Sequence, residues 1–331
     1  MSAPNMVLIT GASGFVGSHI LDELQARGMA TRLLLRTASR TEFIDSHLQN
    51  VELRFGALDK PETLRKSLEG ISHIIHCAGC TKALRATDYY EANQAGTRHL
   101  VEAINRPGGT IRRLVHISSL AAAHPADAQA PAREDDPPAP VSEYGRSKLA
   151  AEREVRVSCS AEFTILRPSA VYGPRDRDFL LLFKTVRSRL VPSFGGGRQP
   201  LNLAYVKDLA RVAVDCLTHG VAAAQTYNVA SKELVTAAGL AGEIARQMSV
   251  RPLYLPVPAA ALWSACLVQD VFSRITRRPH ILSRDKYSEL RAPGWVCDTN
   301  RLRNELGQSG FTPLRDGIAE TLEWYRKNKW L

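Results

Sequence analysis

The chain has 331 residues, of which 44% are hydrophobic and 23% are charged. This is an ordinary composition for a globular protein, and the length suffices for one large α/β domain with a smaller one added. The 43 Lys and Arg residues outnumber the 33 Asp and Glu residues, which gives a formal net charge of +10. Because the basic residues are scattered, we expect a solvated surface that attracts an anionic small molecule, and no nucleic-acid partner.

The cysteines, the histidines and the N-terminus indicate whether a metal binds and in which cellular compartment the protein lies. The six cysteines are spread along the chain, and the pair Cys77 and Cys80 has no second pair to complete a zinc site. The histidines have no ligand spacing, so we predict no metal. The N-terminus lacks the basic start and long apolar core of a secretory signal, and the cysteine usage is typical of a reducing compartment. We therefore expect a cytoplasmic protein.

The first predicted element is a short buried strand, Val7 to Ile9, that leads into a glycine turn and a helix over roughly 14–27. The turn reads Thr10-Gly11-Ala12-Ser13-Gly14-Phe15-Val16-Gly17. Glycines at this spacing serve a tight bend, a close approach of the backbone to a pyrophosphate, and close packing of helix on strand. The helix N-terminus supplies N–H donors for phosphates, and Ser13 adds a hydroxyl. The turn predicts a dinucleotide site.

The second predicted strand, Thr31 to Leu35, bears on which dinucleotide binds. It ends in Arg36, and Arg40 follows, with no acid between Thr31 and Thr41. NAD sites commonly carry an acid here for the ribose 2′-hydroxyl, whereas an arginine accommodates the 2′-phosphate of NADP. We therefore favour NADP over NAD, although two solvated arginines are the simpler alternative.

A proton-transfer group is predicted further along. Tyr144 and Lys148 are four residues apart and share a helix face, and a nearby ammonium lowers the pKa of a phenol. Tyr144 is then a candidate acid/base for a carbonyl or alcohol oxygen. Ser119 follows an apolar strand and can orient that oxygen. The loop over 121–141, rich in Ala and Pro, joins Ser119 to Tyr144, so we expect it to border the site.

Apolar runs alternate with amphipathic segments up to about residue 168. The runs fall at 6–9, 31–35, 51–55, 72–77, 113–118 and 162–166. This alternation predicts an α/β fold with a doubly wound parallel sheet, a Rossmann fold.

A nearly uncharged segment runs from Leu253 to Val268, with Arg277 and Arg278 beyond it. It is shorter than the about 20 residues that a membrane-spanning helix needs. We expect a helix that lies in the core or covers a pocket, with weak interfacial membrane contact as the alternative. A helix in the core or over a pocket and a helix at a membrane interface would both suit an apolar substrate.

With these motifs in place, the chain resembles the extended short-chain dehydrogenase/reductases, which include the NAD-dependent epimerase/dehydratases, over nearly its whole length. The resemblance rests on the glycine turn and on several later segments. These are His76-Cys77-Ala78-Gly79, Asn93-Gln94-Ala95-Gly96-Thr97, Ser119 with Tyr144 and Lys148, Leu166-Arg167-Pro168, Val171-Tyr172-Gly173-Pro174 and Tyr205-Val206-Lys207-Asp208-Leu209-Ala210.

The resemblance implies roles for these residues. Ser119, Tyr144 and Lys148 would be catalytic, with Tyr144 exchanging the proton and Lys148 also holding the ribose. The implied cofactor-binding residues are Gly11, Ser13, Gly14, Phe15, Val16, Gly17, Arg36, Leu58, Ala78, Gly79, Asn93, Tyr144, Lys148 and Pro168. One departure is Gly56-Ala57-Leu58-Asp59, where the family usually has Gly-Asp-Leu, so that Ala57 cannot accept from the adenine amino group.

The resemblance also implies an organisation. A cofactor domain would comprise 1–168 plus about 200–230, and a smaller C-terminal substrate domain 169–199 plus 231–331, with a Gly195-Gly196-Gly197 turn near the crossover. Relatives often dimerise through helices near 92–105 and 144–157, so we expect a homodimer. The Leu-Arg-Pro motif and the arginines after the second strand resemble the branch of dihydroflavonol reductases and 3β-hydroxysteroid dehydrogenases.

Three functions remain open on the sequence. The leading one is an NAD(P)-dependent oxidoreductase that moves a hydride between the nicotinamide and a ketone or secondary alcohol of a small or apolar substrate. A nucleotide-sugar epimerase or dehydratase with bound NAD would use the same groups, with Arg175, Arg187 and Arg198 as candidate phosphate contacts. A non-catalytic cofactor sensor is the third, disfavoured because both Tyr144 and Lys148 are present.

Overall fold

The computed structural model describes residues 6–194, 197–276, 284–308 and 310–331. Its strands are β1 Val7–Thr10, β2 Thr31–Leu35, β3 Glu52–Phe55, β4 His73–His76, β5 Arg113–Ile117, β6 Glu162–Pro168, β7 Ala170–Tyr172, β8 Leu190–Phe194, β9 Pro200–Tyr205, β10 Gln225–Val229, β11 Leu234–Thr236 and β12 Leu253–Val257. The α-helices are α1 Phe15–Ala26, α2 Pro61–Leu68, α3 Ala86–Tyr89, α4 Gly96–Ile104, α5 Glu143–Ser158, α6 Phe179–Arg187, α7 Val206–Asp215, α8 Ala237–Met248, α9 Ala259–Thr276, α10 Arg284–Leu290, α11 Asn300–Leu306 and α12 Leu314–Lys327.

Seven strands form one parallel sheet in the order β10-β6-β5-β4-β1-β2-β3. The order reverses between β1 and β4, and ligands of open α/β sheets bind outside the carboxyl ends of the strands at such a point. The predicted doubly wound sheet is confirmed, and the predicted strands agree with the observed bounds to within two residues.

The sheet is buried on both faces, which explains why its strands are nearly continuous apolar runs. One face packs with α1 and α7 in a core that includes Ile20, Leu24 and Leu209. The other face packs with α2, α4 and α5, through residues such as Leu64 and Leu100. Both layers hold the carboxyl ends of β1, β4 and β5 at one edge.

The later part of the chain forms two smaller sheets and a core of its own. β9 lies between β7 and β11, and β8 pairs with β12. Tyr172, Phe183, Ile244 and Tyr325 belong to the separate core beside them. After β9 the chain adds α7 beside α1 and β10 beside β6. The division into 1–168 plus about 200–230 and 169–199 plus 231–331 stays a prediction.

The segment from Leu253 to Val268 differs from the expectation of a core helix. It begins with β12, where Pro252, Pro256 and Pro258 oppose helix formation, and Leu253 and Leu255 in this strand are exposed. Helix α9 follows. Gly195 and Gly196 of the predicted glycine turn, and Arg277 and Arg278, lie outside the described residues. Among the described residues, no helix has both the length and the apolar character needed to cross a membrane.

The loop over 121–141 is held by backbone hydrogen bonds to a distant segment. The Ala126 N–H donates to the Gly294 carbonyl over 3.1 Å, and the Ala132 N–H donates to the Val296 carbonyl over 2.9 Å. These bonds connect the chain between β5 and α5 to the C-terminal part of the protein.

Candidate active site

The glycine turn lies where β1 passes into α1. Gly11 has a φ of +77°, and a Cβ added to it would lie 2.6 Å from the Ala78 nitrogen. A Cβ on Gly17 would lie 2.1 Å from the Gly11 carbonyl oxygen. Both positions therefore need glycine, the first for its conformation and contact with the chain after β4, the second for the close approach of α1.

The start of α1 fits a phosphate-bearing dinucleotide. Gly14 is the N-cap in extended conformation, it offers no side-chain hydrogen bond, and the first turn of α1 contains no acid. The first N–H groups of α1 therefore have no capping side chain as a partner, and the positive end of the helix dipole stays uncompensated. This arrangement fits the pyrophosphate of a dinucleotide. Ser13, Phe15 and Val16 are partly exposed around it.

A buried histidine links this turn to the neighbouring segments. The Thr10 hydroxyl lies 2.7 Å from Nδ1 of His76 and accepts from the Ala78 N–H over 3.3 Å. Nε2 of His76 lies 3.0 Å from the Thr97 hydroxyl, which donates to the Asn93 carbonyl over 2.6 Å. Burial lowers the pKa of His76 to about 3, so the ring is neutral and serves as a structural link between β1 and the start of α4.

Asn93 holds the segment after β4 in place. Its Oδ1 accepts from the Cys80 N–H over 2.7 Å, and its Nδ2 donates to the Cys80 carbonyl over 3.0 Å and to the Ser147 hydroxyl over 2.8 Å. A Cβ on Gly79 would lie 2.9 Å from Oδ1 of Asn93 and 3.8 Å from Nζ of Lys148. Ala78, Gly79 and Asn93 therefore lie beside α5.

Ser119 and Tyr144 meet where β5 ends. The Ser119 side chain lies close enough to the Tyr144 hydroxyl to act on its pKa, and the Ser119 hydroxyl accepts from the Ala121 N–H over 3.2 Å. Both side chains are partly exposed. Tyr144 stands in the first turn of α5, whose N-cap Ser142 accepts from the Gly145 N–H over 3.0 Å. A Cβ on Gly145 would lie 2.3 Å from the Ala121 carbonyl oxygen, so glycine lets α5 approach the Ser119 turn closely.

Lys148 lies one helical turn after Tyr144 and is only 5% exposed. Its Nζ donates to the Ile117 carbonyl over 2.7 Å. Burial lowers the pKa of Lys148 to about 8, although Cys77 and Glu152 act in the opposite direction. A fraction of this amine is therefore neutral near physiological pH.

The expectation that a neighbouring ammonium lowers the Tyr144 pKa is wrong for this chain. Burial raises the pKa of Tyr144 above its ordinary value, the hydrogen bond from Ser119 acts against that shift, and Glu289 adds to it. Lys148 directs its amine at the Ile117 carbonyl, and desolvation is the largest cause of the shift in the Tyr144 pKa.

Other predicted residues lie around the same edge of the sheet. Arg36 and Arg40 are exposed just after β2, where the Arg36 N–H donates to the Ser39 hydroxyl over 3.0 Å. Leu58 is partly buried next to Gly96, and Pro168 ends β6. In the described residues, no group of three or more His, Cys, Asp or Glu side chains is placed to hold a metal ion.

The fold and the glycine turn agree with a comparison against known families. The sequence model of the NAD dependent epimerase/dehydratase family matches residues 7–230, which is more than half of the chain. The chain belongs to this family. The resemblance to the extended short-chain dehydrogenase/reductases is thereby confirmed.

Reductases and epimerases of this family are both similar to the chain. A ceramide reductase of Caulobacter vibrioides is 29% identical over 331 residues, which cover 99% of this chain and 97% of that protein. UDP-glucose 4-epimerase of Vibrio cholerae is 27% identical over 336 residues, which cover 97% and 95%. The solved structure of MoeE5 with UDP-glucuronic acid and NAD has a TM-score of 0.77 and 26% identity, covering 98% of this chain and 100% of that chain. The protein is an NAD(P)-dependent enzyme of this family.

The sequence offered no sign of the contacts that α10 makes with the catalytic helix. Asp285 accepts from the N–H groups of Glu143 and Tyr144 over 2.5 and 3.2 Å, and Glu289 accepts from the Ser142 hydroxyl over 2.7 Å. These acids follow Tyr144 by 141 and 145 positions, and only the fold brings them to it. The position of Glu152 could be predicted from the sequence, since it lies four residues after Lys148 on the same face of α5.

Proposed function

We propose that this enzyme interconverts a ketone and a secondary alcohol of an apolar substrate, with NADP as its preferred cofactor. The proposal rests chiefly on one observation, the closeness of the Ser119 side chain to the Tyr144 hydroxyl at the carboxyl end of β5, with Lys148 one helical turn further on. The glycine turn of β1 lies at the same edge of the sheet. A proton-transfer group is thus next to a site that fits a dinucleotide.

Each residue of this group has a separate task. The Tyr144 hydroxyl gives its proton to the carbonyl oxygen during reduction and takes it back during oxidation. Ser119 orients that oxygen, and Lys148 hydrogen-bonds the ribose. The glycine turn, Ala78, Gly79, Asn93, Leu58 and Pro168 line the cofactor. The nicotinamide, when bound, supplies or accepts the hydride.

The preference for NADP rests on Arg36 and Arg40. Both are exposed after β2, and no acid lies between Thr31 and Thr41 to accept from a ribose hydroxyl or to repel a phosphate. Guanidinium groups bind phosphate through paired N–H donors. The nearest acid along the chain, Glu42, is ion-paired with Arg177 over 2.5 Å.

The apolar character of the substrate rests on the C-terminal segment and on the relatives. Helix α9 packs against α10, which in turn contacts the first turn of α5 beside Tyr144. The segment from Leu253 to Val268 contains no charged residue. The similarity to a ceramide reductase over nearly both whole chains supports a lipid-like substrate.

The alternative is a nucleotide-sugar epimerase or dehydratase that keeps its NAD, and the two sugar-nucleotide relatives favour it. Of its three candidate phosphate contacts, Arg175 is ion-paired with Asp22 over 2.8 Å, whereas Arg187 and Arg198 are exposed. Mass spectrometry of the nucleotide released from the purified protein separates the two functions. Retained NAD together with stabilisation by a UDP- or dTDP-sugar would replace our proposal.

The direct test is Tyr144→Phe. The variant should lose turnover of apolar ketones with NADPH and keep its NADPH affinity within about twofold, because only the proton donor is removed. Tyr90→Phe, which removes a hydroxyl bonded to Glu143 nearby, is the matched control and should keep its activity. Undiminished activity of Tyr144→Phe would refute the assignment.

Two further properties belong to this proposal, the oligomeric state and the cellular location. We expect a homodimer through 92–105 and 144–157, where α4 and α5 pack side by side, and light scattering of the purified protein tests it. We also expect a cytoplasmic location. All six cysteines lie in the described residues and are free, which suits a reducing compartment.

A further inference from the structure

A ribbon of two strands far along the chain exposes an apolar side. β8 and β12 pair in parallel, with Leu190 opposite Leu253 and Pro192 opposite Leu255. Because side chains alternate along a strand, these four point to the same side of the ribbon. Leu190 is 52% exposed and Leu253 is 60% exposed. Soluble surfaces rarely place so many large apolar side chains together without a partner.

Helix α9 follows this ribbon after Pro258 and has a stripe of apolar residues on the outside. Ala261, Ala265, Val268 and Ile275 are exposed at a spacing of four, three and seven residues, which is one stripe of the helix. Val268 is 69% exposed and Ile275 is 75% exposed. Another side of α9 buries Leu262, Cys266 and Ser273, so the outer stripe is more apolar than a helix on a globular core requires. We call the ribbon side and this stripe together the apolar face.

The chain on either side of the ribbon carries only positive charge. The chain has no Asp or Glu from Lys184 to Phe194 or from Ser249 to Val268, and these stretches contain Lys184, Arg187, Arg189 and Arg251. All four cations are exposed, and within the part of the chain that the structure describes they are absent from the ion pairs, such as the neighbouring pair of Arg246 with Glu243. Arg189 adjoins the ribbon directly, since its carbonyl accepts from the Leu253 N–H over 2.7 Å.

We propose that the apolar face docks on an anionic lipid bilayer, with its apolar side chains in the headgroup and acyl boundary and with Arg189 and Arg251 on lipid phosphates. Apolar side chains flanked by cations are the combination that binds such an interface, since both burial and attraction to anionic lipid contribute. A second copy of the chain is a poorer occupant. A symmetric contact would bring the same unpaired cations together, which opposes association.

The position of the face has a consequence for the active site. Its α9 packs against α10, with the Trp263 and Tyr287 rings 5.0 Å apart, and Asp285 of α10 holds the first turn of α5. The docked surface is thus connected through one helix to Tyr144. A substrate that leaves a bilayer would meet the enzyme on the side of this helix.

The test is co-sedimentation of the full-length protein with vesicles. One set contains phosphatidylcholine alone, and the other contains phosphatidylcholine mixed with phosphatidylglycerol. We expect binding to the mixed vesicles that falls about tenfold in Val268→Glu/Ile275→Glu, and about as much in Arg189→Gln/Arg251→Gln. Val221→Glu and Arg106→Gln replace an exposed valine and an exposed arginine elsewhere and should bind like the wild type.

Each other outcome overturns the proposal. These are the absence of binding to mixed vesicles, binding that the paired variants do not weaken, and equal binding to both kinds of vesicle. If the protein ignores vesicles and Val268→Glu/Ile275→Glu changes its mass in light scattering, the apolar face is covered by a second copy. Because all variants lie outside the active site, thermal unfolding checks that each of them is folded.

Discussion

Lys148 places a basic amine in the interior beside the candidate active site. Its pKa of about 8 lies below the ordinary value of 10.5 because burial penalises the charged form. Between these two values the unfolded chain binds more protons than the folded one. Below about pH 8 the folded protein therefore carries the full free-energy cost of burying the charged Lys148 amine. This cost disappears as the pH rises towards 10.5.

We predict that Lys148→Met stabilises the protein at pH 7 while abolishing activity. A shift of this size corresponds to about 3 kcal/mol, and the Ile117 carbonyl that loses its donor offsets about 1 kcal/mol. The free energy of unfolding should rise by about 2 kcal/mol at pH 7, and the gain should vanish near pH 10. Urea unfolding at several pH values measures both, with the exposed Lys66→Met as the control. A variant less stable than the wild type at pH 7 would contradict the prediction.

Arg36 is the residue on which cofactor choice is expected to depend. We predict that Arg36→Ala weakens NADPH binding about ten- to thirtyfold and leaves NADH binding nearly unchanged, because only NADPH carries the 2′-phosphate. Fluorescence titration of both cofactors measures the change. Arg54→Ala, at an exposed arginine of β3 that pairs with Glu52, should affect neither cofactor. Equal losses for both cofactors, or a wild type that prefers NADH, would reject the role of Arg36.

Helix α5 connects the catalytic residues to a buried ion pair. Tyr144, Lys148 and Glu152 lie on one face at four-residue spacing. Glu152 is fully buried and binds Arg167 of β6 through two hydrogen bonds of 2.9 and 2.7 Å, while the Ser118 hydroxyl donates to it over 2.6 Å. This pair fixes the helix to β5 and β6, the strands beside the reaction.

We predict that Arg167→Met destabilises the protein by about 3 to 5 kcal/mol, because it leaves the buried Glu152 charge with the Ser118 hydroxyl and with Arg156 at 3.8 Å. The double variant Arg167→Met/Glu152→Met should regain most of this stability, since no charge then stays buried. Urea unfolding gives both values. The control is Arg146→Met in the exposed Arg146–Glu143 pair of the same helix, which should cost less than about 1 kcal/mol. A double variant as unstable as the single one would disprove this account.

At the scale of the whole molecule, the charge of +10 acts on every anion that approaches. We predict that the association rate of NADPH falls several-fold between about 0.01 M and about 0.15 M salt, as the Debye length shortens from about 30 to about 8 Å. Stopped-flow fluorescence measures the rate. NADH is the matched control, because it lacks the two charges of the 2′-phosphate and should depend less on salt. The same salt dependence for NADPH and NADH would contradict the prediction, because the charges of the 2′-phosphate would then add nothing to the attraction.

The sequence by itself determined the sheet, the glycine turn and the order of the candidate catalytic residues. These features are local, since strand and helix periodicity, the positive φ of Gly11 and the four-residue spacing from Tyr144 to Lys148 are read from neighbours along the chain. Parallel strands also end at one edge, so Ser119 could be expected near the glycine turn. The roles of these residues remain predictions.

Only the tertiary structure decided the properties that depend on burial and on distant contacts. The raised pKa of Tyr144 and the lowered pKa of Lys148 follow from desolvation, which no local pattern reports. The pair of Glu152 with Arg167 depends on how α5 packs on β6. The contact of Asp285 with the first turn of α5 and the outward apolar stripe of α9 depend on how remote segments pack. Periodicity says which residues share a face, whereas the free energy of each charge and each apolar side chain depends on what the fold places against that face.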